Sequence, residues 1–126
     1  MRNLLRCAVA VGAMVAFLVV ARGDESSKSI KEVMRSANAP PEKGKPSLWD
    51  KFSKGKASDD EKKELASLYK ELAGSKCPKG DEKDWTRRID ALVKAAEAVS
   101  NGDKGADAKL KKANDCMGCH TMHKGR

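Results

Sequence analysis

With 126 residues, 35% charged and 4% aromatic, the chain has room for one small domain rich in polar helix faces, and so few aromatic residues argue against a sheet protein. Its formal charge of +8 is a modest surplus of lysines interleaved with acids, as in Glu61-Lys62-Lys63-Glu64. That pattern reads as solvated helix faces, and with no RNA- or DNA-binding motif present it excludes nucleic acid as a partner.

Residues 1–23 read as a secretory signal. Arg2 and Arg6 flank the start, Cys7 to Ala21 is an uninterrupted apolar run, and Ala21-Arg22-Gly23 offers small residues for cleavage, so the mature domain spans residues 24–126. The competing reading is an uncleaved membrane anchor, but about 15 apolar residues fall short of the ~20 that a spanning helix needs. Cleavage removes Cys7 with Arg2, Arg6 and Arg22, leaving Cys77, Cys116 and Cys119 as the cysteines of the mature chain.

From about Ser27 to Asn38 the residues Ile30, Val33, Met34 and Ala37 recur at the spacing of one buried helix stripe, which Pro40-Pro41 ends. PPEKGKP, residues 40–46, is a linker by composition. Pro46 and Ser47 then open a short helix carrying Leu48, Trp49 and Phe52, broken by Gly55. Ser58-Asp59-Asp60-Glu61 is a capping box, launching a helix with the stripe Leu65, Leu68, Tyr69 and Leu72 and a stop at Gly74. After a loop holding Cys77-Pro78, the acids Asp81, Glu82 and Asp84 mark a helix N-terminus. Trp85, Ile89, Leu92, Val93, Ala96 and Val99 form the buried face of that helix, which Asn101-Gly102 ends. A last helix is predicted from Gly105 or Ala106 to Lys124, with Leu110 and Ala113 on its inner face. His123, Lys124 and Arg126 bring cations to its C-terminal end. Four main helices and one short piece, with short loops, predict an all-α antiparallel four-helix bundle.

The chemistry concentrates in Cys116-Met117-Gly118-Cys119-His120. Cys-x-x-Cys-His is the attachment signature of c-type haem: each thiol takes one vinyl group as a thioether and the histidine reaches the iron. On a helix the positions i, i+3 and i+4 share one face, so both thiols and the imidazole would point the same way. Three other readings compete: a zinc site built from Cys77, Cys116, Cys119 and a histidine, a redox dithiol, and chance. The dithiol wants a βαβ surrounding that is not apparent. Export agrees with haem, since c-type haem is attached outside the bacterial cytoplasmic membrane. Cys77 then reads as a free thiol in an interhelix loop.

A single Cys-x-x-Cys-His near the C-terminus of an exported, all-helical chain resembles the class II cytochromes c, the cytochrome c prime family. Class I cytochromes carry the motif near the mature N-terminus. The resemblance implies one covalent haem c on the last helix of a four-helix bundle, Cys116 and Cys119 at the thioether positions and His120 as proximal ligand. Lys124 matches a basic residue usual four places after that histidine, whereas His123 stands where an aromatic is usual.

The family divides on the sixth ligand. Members with an open distal face bind NO or CO; low-spin members place a first-helix methionine on the iron and pass electrons. After signal removal only Met34, Met117 and Met122 remain, and the last two share the helix of His120 and cannot cross the haem plane. Val33-Met34-Arg35 also looks like the apolar-Met-basic run around the ligand of low-spin members. The sequence reading is therefore a periplasmic monohaem electron carrier with Met34 as distal ligand, the alternative being a gas-binding protein in which Met34 is a core or pocket residue. It is not read as an enzyme, because its only catalytic equipment would be the haem. The expected partners are redox proteins with acidic surfaces; homodimers are common in the family, and no stable membrane insertion of the mature chain is expected. Mass spectrometry of the exported protein should find Asp24 at the N-terminus, whereas an intact Met1 in the membrane fraction would indicate a tethered form with the same bundle.

Overall fold

The computed structural model describes residues 29–124. The segment read as a secretory signal, the cleavage site expected after it and Arg126 lie outside the described residues. Within them the fold is all-helical, compatible with a helical bundle: α1 Ile30–Asn38, α2 Leu48–Ser53, α3 Asp59–Lys70, α4 Glu82–Ser100, α5 Ala106–Ala113 and α6 Cys116–His123.

Local chemistry sets most of these starts. α1, α2 and α3 each open with a reciprocal capping box, Ser29 with Glu32, Ser47 with Asp50 and Ser58 with Glu61, so orphan N–H groups at each N-terminus are satisfied twice over. Bonds to Ser47 hold the Asp50 carboxyl below its ordinary range. Glu61 is lowered too, first by the Lys51 ammonium, a bond that ties α2 to α3. Asp81 caps α4, its carboxylate accepting from the Asp84 N–H at 2.7 Å.

The apolar stripes meet in one core. Val33, Ala37, Phe52, Leu65, Leu68, Tyr69, Leu72, Trp85, Ile89, Leu92, Ala96, Val99 and Leu110 are buried, with Ile30, Met34, Leu48, Trp49 and Val93 packed at its edge. α4, the longest helix, packs against α3, α5 and α6, while α1 packs against α2 and α3. The stripes expected on α1 to α4 are the ones that face inward.

The C-terminal region departs from expectation. Instead of one helix to Lys124 there are two, because the backbone leaves helical geometry at Asn114 (φ −81°, ψ 61°) and restarts at Cys116. Asp115 is the N-cap of the new helix, its carboxylate accepting from the Gly118 N–H at 3.0 Å. Asn and Asp side chains compete for backbone partners and favour such breaks. The described residues thus form six helices, and the Cys-x-x-Cys-His motif occupies a short helix of its own.

Candidate functional site

α6 buries a single side chain, His123, so apolar packing contributes little to where it sits. Charge and hydrogen bonding hold it against α4 at both ends. At its start, Asp115 reaches Arg88 Nη1 at 3.5 Å while capping Gly118. Arg88 Nε in turn donates to Asp84 Oδ2 at 2.7 Å, and Arg87 also bonds Asp84. At the far end Asp84 Oδ2 lies 2.9 Å from His123 Nε2, and His123 Nδ1 is 2.8 Å from the Lys79 carbonyl oxygen. Both partners of the ring are acceptors, so each bond is complete when the nitrogen facing it carries a proton. The ring also stands edge-on to Trp85, centroids 5.5 Å apart. Three donors, Arg88 foremost, then His123 and Arg87, hold the Asp84 carboxyl well below the usual carboxylate range.

Two glycines permit this seating. A Cβ on Gly118 would lie 1.9 Å from Asp115 Oδ2, so the cap occupies the space a side chain would need. Gly80, at φ +88°, brings its loop so close to α6 that a Cβ would meet the Met122 carbonyl oxygen at 2.7 Å.

With α6 fixed, Cys119 and His120 face two clefts, both shared with Met34 of α1. One, of about 230 Å³, is also lined by Asn38, Ile89, Leu92, Ala113, Asn114 and Cys116. The other, of about 530 Å³, is also lined by Ile30, Pro78, Trp85 and His123. Cys116 and His120 are exposed and Cys119 half-buried; burial pushes the Cys119 thiol up. All three thiols of the described residues are free. The helix thus gathers Cys116, Cys119 and His120, and the cleft adds Met34. Met117 and Met122 are exposed, at 75% and 49%.

Cys77 does not join them. Its thiol donates to the Lys79 carbonyl at 3.1 Å and lies 3.6 Å from His123 Nδ1. Among the described residues no three His, Cys, Asp or Glu side chains are grouped as metal ligands, so the convergence that the zinc reading needs is not found there. His123 was read as a terminal cation and is instead only 1% exposed. Sequence reasoning also missed Arg88 and Asp115, and took Asp84 only as an acid at the start of a helix. The Asn114-Asp115 pair ahead of the motif was the available signal, an N-cap residue where a fresh helix could start.

No protein-family model matches the chain, and neither curated proteins nor solved structures yield a match to it. The functional reading therefore rests on the residues themselves.

Two predictions test the seating of α6. Gly-to-Ala exchange inside a helix ordinarily stabilises by about 1 kcal/mol; here Gly118→Ala should bring no gain, because it expels the Asp115 cap. In an Asp115→Ala background the same exchange should recover the ordinary gain, measured by urea unfolding of the four proteins. The second is pH dependence. Because the folded pKa of Asp84 is depressed, its contribution is present above the unfolded value of about 3.9 and is lost as pH falls through the folded one. Urea midpoints should therefore fall more steeply below about pH 4 in the unmutated protein than in Asp84→Asn.

Proposed function

We propose that this chain is an exported c-type cytochrome of the cytochrome c prime kind, an electron carrier whose single haem c is held covalently by Cys116 and Cys119. His120 and Met34 would hold its iron. The observation that carries the reading is the Cys-x-x-Cys-His motif on one short helix whose Cys119 and His120 share both neighbouring clefts with Met34. The donor set suits the group: two free thiols one helical turn apart, an imidazole beside the second, and a thioether on another helix.

When bound, the haem supplies one-electron iron chemistry. The chain's part is to hold and orient it. α6 presents both thiols and the imidazole on one face, Ile89, Leu92 and Ala113 give an apolar wall that limits water, and the thioether of Met34 offers a soft ligand favouring ferrous iron. Peroxidase-type chemistry would need an acid-base group at the distal face, and the one other histidine, His123, is engaged by Lys79 and Asp84. An acidic redox partner is supported by a groove between α4 and α5 rimmed by Lys94, Lys109 and Lys112, which adjoins the first cleft through Arg88 and Asp115. No ion pair engages those three lysines among the described residues. No helix of the described residues is long and apolar enough to cross a membrane.

A second reading, a five-coordinate protein binding NO or CO, has one observation in its favour: Met34 Sδ accepts a hydrogen bond from Asn38 Nδ2 at 3.2 Å, so the sulfur has a place in the pocket without any metal. Haem retention and spectra decide between the readings. The haem should survive acid-acetone extraction and denaturing electrophoresis, the spectrum should be low-spin in both oxidation states, and CO should bind weakly. Met34→Ala should turn the spectrum high-spin and admit CO, at a stability cost no larger than the ~2–5 kcal/mol of a buried large-to-small exchange. Dissociable haem overturns the proposal, and an unmutated protein that is high-spin and binds CO favours the second reading.

A further inference from the structure

One hydrogen-bonded chain runs from the joint between α5 and α6 through the core to the Met34 sulfur. Asn114 Nδ2 lies 3.1 Å from the Tyr69 hydroxyl, the hydroxyl lies 2.8 Å from Asn38 Oδ1, and Asn38 Nδ2 lies 3.2 Å from Met34 Sδ. The direction of every link follows from its end. A thioether has lone pairs and no proton, so it only accepts. Asn38 must therefore turn its NH₂ to the sulfur and its carbonyl oxygen to Tyr69. Tyr69 must donate its O–H to that oxygen, and so it must accept from the Asn114 NH₂. Each member has one role, and reversing any link leaves two acceptors or two donors face to face.

The members are held in place. Tyr69 is fully buried on α3, and burial pushes its phenol up, which keeps the proton it donates. Asn38 and Asn114 are half-buried. Asn38 sits four residues after Met34, one turn along α1, and Asn114 immediately precedes the Asp115 cap of the motif helix. Two half-buried amides and a buried phenol, from α1, α3 and the α5–α6 joint, thus form one series that ends on the Met34 sulfur. Burying polar groups is unfavourable unless all are paired, so a chain this complete is costly to break at any point.

We propose that Asn38, oriented by Tyr69 and Asn114, is a positioning residue for the Met34 sulfur: it occupies one sulfur lone pair, aims the other at the iron, and tunes the reduction potential. This inference rests on the His120/Met34 reading of the site. A hydrogen bond to sulfur withdraws electron density from the donor atom, which weakens its donation to ferric iron more than to ferrous iron and so raises the potential. It also resists rotation of the Met34 side chain, so exogenous ligands displace the sulfur less readily.

The test uses the haem-loaded protein and two variants, Asn38→Leu, close in volume and without a donor, and Tyr69→Phe, which leaves Asn38 in place but removes what orients it. Three quantities are read: the Met–iron charge-transfer band, the reduction potential, and the affinity for added imidazole. In Asn38→Leu the band should persist, the potential should fall, and imidazole should bind about two- to tenfold more tightly, the range of one net hydrogen bond. Tyr69→Phe should shift potential and imidazole affinity in the same direction by less, and it keeps the inference testable if Asn38→Leu does not fold. A purely structural role would lower the urea midpoint and leave potential and imidazole affinity unchanged while the band remains; that result overturns the inference and leaves the electron-carrier reading standing. Absence of the Met–iron band from the unmutated protein overturns both, and that spectrum is read before any variant is made.

Discussion

The placement of the motif helix depends on a string of hydrogen bonds and ion pairs, Asp115 to Arg88, Arg88 to Asp84 and Asp84 to the His123 ring, running between α4 and α6. Arg88 and Asp84 stand one turn apart on α4, so the string is built on the most extensively packed helix of the domain. A short helix that buries only one side chain has little hydrophobic area with which to choose its orientation. Directional bonds do the choosing. The ends are fixed by different means: at the start Asp115 both caps the helix and meets Arg88, and at the finish the histidine is itself the buried anchor. Removing Asp84 costs most at the His123 ring, which is buried and cannot turn to water for a replacement, whereas Arg88 and Asp115 reach solvent.

The second organising element is Tyr69. It lies in the middle of the α3 stripe, where periodicity alone assigns an apolar residue, and its ring fills that place. Its hydroxyl belongs to a different system, bonded to α1 through Asn38 and to the α5–α6 joint through Asn114. One residue thereby serves the core with its face and the site with its tip, as tyrosine can because one end is apolar and the other polar. α1 and the start of α6, neighbours of Met34 and Cys116 respectively, are both referred to the same buried atom.

What was legible in the sequence divides along a physical line. Stripes at helical spacing announce themselves because burial is a property of many residues at once, and those of α1 to α4 are all in the core or packed against it. The Ser58 capping box was visible for the same reason, a fixed spacing of two residue types. The boxes at Ser29 and Ser47 have the same spacing but are masked, because Ile30 in one and Leu48 and Trp49 in the other read first as residues of a buried stripe. The break at Asn114 was hidden by a continuous helical pattern through Leu110, Ala113 and the motif; a competing cap, a local hydrogen-bond choice, overrides the propensity there. Met34 as a residue facing the motif is an expectation from its stripe position, elimination and the family resemblance together; the structure adds that Met34 lines two clefts with Cys119 and His120. The links through Arg88, Asp84, Tyr69 and the two asparagines join residues distant in sequence by side-chain geometry alone, which no periodicity encodes.

The separation of α6 from α5 bears on how the chain reaches its finished state. Stability in a small domain is graded, and segments with few buried apolar contacts open at a fraction of the global free energy. α6 is such a segment: it buries only His123, and Asn114 interrupts the helix ahead of it. Cys116 is exposed as α6 is seated, so lifting the helix would newly uncover only the half-buried Cys119 while Leu65, Leu92 and Leu110 stay packed. Under the proposed function, the break between α5 and α6 would let the two thiols be reached after the core of α3, α4 and α5 has packed.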